Sequence, residues 1–212
     1  MMTQFPQQQK TFFLSRPAGQ LDVLTTWSHE PKKQSVVIIC HPHPQHGGTM
    51  NNKVVMTMAK AFDCLGLATV RFNFRGVGKS VGQYGEALGE REDLLAIINW
   101  VKTTLPDYAI CLAGFSFGSY IAAKVANQES VAQLLTIAPT VNHYDFADLT
   151  NIHCPWLAII GEQDELVAVE SVKMFAAHPP APLKLIVVPG VGHFFHGHLI
   201  ELRALIINEL SA

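Results

Sequence analysis

The stretch AICLAGFSFGSYIAAKVAN, residues 109–127, changes its period halfway. Residues 109–114 form a short apolar run of the kind buried on both faces of a sheet, and from Ser119 the pattern becomes helical. Between them lies Gly114-Phe115-Ser116-Phe117-Gly118, a G-x-S-x-G pentapeptide. A strand that reverses abruptly into a helix needs small residues two positions either side of the apex, because β-carbons there would strike the neighbouring backbone. Such a turn lifts the Ser116 hydroxyl above the sheet edge, at a helix N-terminus whose free amides favour negative charge. Alone the pentapeptide is a weak signal, and a glycine-flanked N-cap serine is its structural alternative. Its position between a strand and a helix gives it weight.

Working outward, the residues around RPAGQ predict an N-terminal hairpin of TFFLS and LDVLTTW. Further short apolar runs at 35–40, 68–73, 132–137, 156–161 and 183–188 read as strands buried on both faces. Helical spacing appears at Val55, Met58, Ala59 and Phe62, and again at Leu94, Ile97, Ile98, Val101 and Leu105. Glu90, Glu92 and Asp93 precede the second group and suit the dipole of a helix start. SYIAAKVAN, VESVKMFAAH and LIELRALIINEL complete the helices. The alternation predicts an α/β fold over a single domain, 1–212. Its mostly parallel, doubly wound sheet has about eight strands, with helices on both faces and no large cap. Chemistry in such sheets gathers at the carboxyl ends of the strands.

A serine at neutral pH is a poor nucleophile without a base. His193 follows the last strand on a loop loosened by Pro189, Gly190 and Gly192, and Asp164 follows the strand before it. A carboxylate there would hold the imidazole and stabilise its protonated form. The order Ser116, Asp164, His193 is the order this architecture uses. Asp164 could instead cap the next helix, leaving Asp145 or Asp148 as the acid; His196 and His198 are the other candidate bases.

Composition narrows the rest. With 49% hydrophobic and 15% charged residues and a net charge of −2, the chain has ample core and no basic excess for nucleic acid or an anionic membrane. The N-terminal residues lack the apolar centre of an export signal, and no apolar run approaches the ~18 residues that span a bilayer. Cys40, Cys64, Cys111 and Cys154 show no paired spacing, which predicts free thiols and a cytoplasmic protein. No oligomeric state is specified.

HPHPQHGG, FNFRGVGKSVG, GFSFG, GEQDELV and GVGHFF occur in the order of the α/β-hydrolase fold, and the chain resembles its small, lidless bacterial members nearly end to end. The resemblance implies a Ser116–Asp164–His193 triad acting through an acyl-enzyme. It also implies an oxyanion hole from the backbone N–H groups of His43 and Phe117, and no cofactor. Pro44 cannot donate, which favours His43, although Pro42 stands where relatives have glycine.

His41, His43 and His46 raise the question of a metal, but two prolines among them and no neighbouring carboxylate favour packing and hydrogen bonding. Gly78-Lys79-Ser80 imitates the end of a phosphate-binding loop, yet Asn73 stands where that motif needs glycine. Phe115, Phe194 and Met50 are the expected lining of a shallow acyl pocket, with ordinary core as their alternative. The expected partners are a small acyl substrate and water. Thioesters and amides would use the same machinery, and a catalytically silent binding module is the other class. A dehalogenase would want an acid at position 116.

Overall fold

The computed structural model describes residues 2–28, 33–179 and 181–211. The hairpin forms as β1 (Lys10–Arg16) and β2 (Gly19–Thr26), antiparallel across the turn at Pro17-Ala18. The remaining strands are β3 (Ser35–Cys40), β4 (Ala68–Phe72), β5 (Ala109–Phe115), β6 (Gln133–Ile137), β7 (Trp156–Gly161) and β8 (Leu183–Val188). They make one sheet in the order β1-β2-β4-β3-β5-β6-β7-β8, parallel from β4 to β8. The helices are α1 (Lys53–Cys64), α2 (Leu88–Thr104), α3 (Phe117–Ala126), α4 (Val169–Ala177) and α5 (Leu199–Leu210).

Strand alternation explains why both faces are covered. Val36 and Ile38 of β3 enter a core with Leu94, Ile97 and Val101 of α2 and Ile121 of α3. Val37 and Ile39 enter the opposite core with Val55 and Met58 of α1 and Leu202 and Ile206 of α5. One predicted strand differs. β8 is only partly buried, because it closes the sheet and has a neighbour on one side alone.

Of the acidic residues expected at the start of α2, Glu90 lies in its first turn and Asp93 beyond it. Glu90 is buried and accepts the N–H groups of Gly85 and Ala87, both at 2.9 Å. Asp93, also buried, grips the Arg75 guanidinium at 2.7 Å and lies 3.0 Å from Arg16. Glu90 thus serves the helix N-terminus as expected, whereas Asp93 ties α2 to Arg16 and Arg75. Residues 138–155, between β6 and β7, form turns without a helix. Among the described residues no helix is long and apolar enough to cross a membrane.

Candidate active site

The pentapeptide builds the abrupt turn its glycines anticipate. Ser116 sits at φ 54°, ψ −121°, a backbone state that costs a residue with a side chain about 1–3 kcal/mol. A β-carbon on Gly114 would lie 2.1 Å from the Gly118 carbonyl oxygen, and one on Gly118 would lie 2.4 Å from that of Cys40. The Ser116 N–H donates to Ile137 at the end of β6, which fixes the turn to the sheet. The hydroxyl then stands 3.1 Å from Nε2 of His193.

His193 Nδ1 lies 3.0 and 2.9 Å from the two carboxylate oxygens of Asp164, and both side chains are buried. An ionised carboxylate has no proton to give, so Nδ1 carries the hydrogen and Nε2 is left as acceptor for the serine. Asp164 does not cap α4, whose N-cap is Ala168, but it closes the turn that leads to it. Its Oδ1 also accepts the N–H groups of Leu166 and Val167, at 2.9 and 2.7 Å, just ahead of α4. The understudies lie elsewhere: Asp148 pairs with Lys124, and Asp145 accepts the Ala147 N–H. His198 pairs with Glu201 at 2.7 Å, and His196 stacks against Phe194.

The three histidines of the loop after β3 take separate roles. His41 is fully buried. Its Nε2 accepts the Phe74 N–H at 3.0 Å, so the hydrogen resides on Nδ1, 2.6 Å from the Pro42 carbonyl oxygen. Burial, partly opposed by that carbonyl, pushes its pKa down to about 4. In the unfolded chain the ring titrates near 6.5, so there it binds a proton that the folded state refuses. Folding stability is therefore fully retained above pH ~6.5 and falls as pH drops toward 4, by on the order of 3 kcal/mol for this group. Urea unfolding at stepped pH should show that slope, and His41→Gln should flatten it; an equal slope in the variant would remove His41 as its source.

His43 turns its Nδ1 to the Gln45 N–H and stacks on His46 at 4.3 Å, while its carbonyl accepts the N–H groups of His46 and Gly48. A β-carbon on Gly48 would meet the Pro42 carbonyl oxygen at 2.0 Å, so this glycine permits the tight loop despite the proline. The ring of His43 packs 4.9 Å from that of Phe117, bringing together the two residues whose N–H groups were expected to face an oxyanion.

The expected pocket lining needs correction. Phe115 has no exposed surface: at the end of β5 it shares the inner face with Cys111 and Ala113, and its ring supports that of His193 at 5.0 Å. Met50 is also buried, its N–H held by Asn73 and its carbonyl by Arg71. Phe194 alone of the three is open, 37% exposed beside His193. Sequence reading passed over Tyr84 and Tyr144. Tyr144 packs 5.6 Å from Phe117, and Tyr84 packs 5.0 Å from His43. Burial, followed by the influence of Tyr84, raises the pKa of Tyr144, so its hydroxyl stays protonated.

Among the described residues no cluster of three or more His, Cys, Asp or Glu side chains is placed to hold a metal ion. The Gly78-Lys79-Ser80 turn is a structural knot: Ser80 Oγ bonds both the Asn73 carbonyl and the Asp22 N–H, and a β-carbon on Gly78 would meet Asn73 Nδ2 at 2.6 Å.

The same arrangement of strands recurs in known proteins. The structure is similar to an α/β serine hydrolase homologue from Coxiella burnetii, with a TM-score of 0.94 and 52% identity, covering 97% of this chain and 99% of that one. It is also similar to a lidless α/β serine hydrolase from Xanthomonas campestris, with a TM-score of 0.92 and 36% identity over 97% and 94% of the two chains. An uncharacterised protein of Rickettsia prowazekii is 31% identical, covering 86% of this chain and 81% of that protein. Residues 33–198 match the model of the α/β-hydrolase domain, from the strand before the histidine loop to the N-cap of α5, and the chain belongs to that family.

Proposed function

We propose that the chain is a serine hydrolase that cleaves small acyl esters. The observation that carries this reading is one line of hydrogen bonds, Ser116 Oγ to His193 Nε2 at 3.1 Å and His193 Nδ1 to buried Asp164 at 2.9 Å. His193 takes the hydroxyl proton as Ser116 Oγ attacks the carbonyl carbon, and Asp164 balances the imidazolium. The N–H groups of His43 and Phe117 receive the oxyanion, with Phe117 at the first turn of α3 where amides have no helical acceptor. His193 then gives its proton to the leaving alcohol. A water molecule, deprotonated by the same nitrogen, releases the acid and returns the serine.

Half-buried Tyr84 and Tyr144, packed on Phe117, and exposed Phe194, packed on His193, offer apolar surface that suits an acyl group. Four free cysteines, three of them buried, accord with a reducing cytoplasm. The test is covalent: a fluorophosphonate should add its phosphonyl mass to the Ser116 peptide, and a panel of p-nitrophenyl esters and thioesters should then rank chain length and leaving group. A protein that stays unlabelled, or is labelled on another residue, would refute the reading.

A further inference from the structure

We infer that Glu165, backed by Glu162, is a positioning residue that holds the backbone of His193 in register with Ser116. Glu165 Oε2 accepts the His193 N–H at 3.0 Å. A β-carbon on Gly192 would lie 2.8 Å from that oxygen, so the glycine leaves the room the carboxylate occupies. Three residues earlier, Glu162 Oε2 accepts the Gly190 N–H at 3.1 Å. Between these two, main-chain bonds run from Glu162 N to the Val188 carbonyl at 2.8 Å and from Gln163 N to that of Val191 at 2.9 Å. Residues 188–193 are thus held at four points by residues 162–165, the same segment that supplies Asp164.

Both glutamates are exposed, and among the described residues neither forms an ion pair. Their carboxylates are spent on main-chain N–H groups of the loop that carries the base. A loop loosened by a fraction of an ångström would lengthen the 3.1 Å contact on which proton transfer depends.

The catalytic side of this inference rests on the proposed hydrolysis, and the experiment keeps the two apart. Wild type, Glu165→Gln and Glu165→Ala are compared on one p-nitrophenyl ester, with melting temperature and amide hydrogen exchange at 190–193 measured alongside. Glu165→Ala should lower kcat about tenfold with KM within about twofold, and should speed exchange of the His193 amide by about tenfold. Glu165→Gln retains an oxygen acceptor for that N–H and should recover most of kcat and most of the amide protection. The inference is overturned if the alanine variant keeps kcat within twofold, if its loss matches the unfolded fraction, or if glutamine is as impaired as alanine. Should the alanine variant not fold, Glu165→Asp decides, because its carboxylate is one methylene short of the His193 amide: it should lower kcat and speed that amide's exchange several-fold, and wild-type values of both would overturn the inference. A wild type without Ser116-dependent turnover would instead refute the proposed function, and the amide exchange would still report whether Glu165 holds the loop.

Discussion

Ser116→Ala is expected to lower ester turnover by at least about a thousandfold while moving the melting temperature by only a few degrees. The side chain's hydrogen bond is to His193, so its removal leaves no other group unsatisfied. The backbone strain at φ 54° is the same for serine and alanine, so the turn itself is not relieved or worsened. Ser119 offers no substitute nucleophile: it is fully buried and its hydroxyl donates to the Ser116 carbonyl. Residual activity would come from the two N–H donors and from binding, which survive the change. Initial rates on a p-nitrophenyl ester, set beside a thermal melt of each protein, make the comparison. Matching rates in the two would end the case for Ser116.

Asp164→Asn is expected to cost about a thousandfold or more in kcat, again with little loss of stability. The separation follows from the two roles of this side chain. An asparagine oxygen can still accept the N–H groups of Leu166 and Val167, so the turn ahead of α4 keeps its bonds. It carries no negative charge to stabilise the imidazolium, and its amide hydrogens favour the ring tautomer with the proton on Nε2, which cannot accept one from Ser116. Asp164→Ala should lose these turn bonds as well, about 1 kcal/mol by denaturant unfolding. Asp145→Asn and Asp148→Asn serve as controls, since neither carboxylate is bonded to His193. A large kcat loss in a control, with Asp164→Asn unaffected, would move the acid to the earlier loop.

The parts of the site that were legible in the sequence are those that obey a backbone rule. Gly114 and Gly118 are required because any side chain would enter a neighbouring carbonyl, so a strand–turn–helix could be read around Ser116. Asp164 and His193 follow consecutive parallel strands, and the order of those strands brings their ends together. Phe115 was misplaced by weighing its nearness to Ser116 over strand alternation, which puts it on the buried face with Cys111 and Ala113. Tyr84 and Tyr144 could not be found by period, since both sit in irregular turns that come together against Phe117. Glu165 was hidden for a different reason: its partner is a main-chain amide, which every residue but proline has. Asp93 looked like a dipole acid because its true partners, Arg16 and Arg75, come from distant turns.

The placement of β8 at the rim of the sheet has a bearing on biogenesis. As the chain leaves the ribosome, seven strands and the nucleophile turn emerge before the segment that brings His193. A nascent chain halted short of β8 would carry a serine with no base beside it. Under the proposed hydrolysis, such a product would hold the nucleophile without its base and would be inert toward the acyl groups around it.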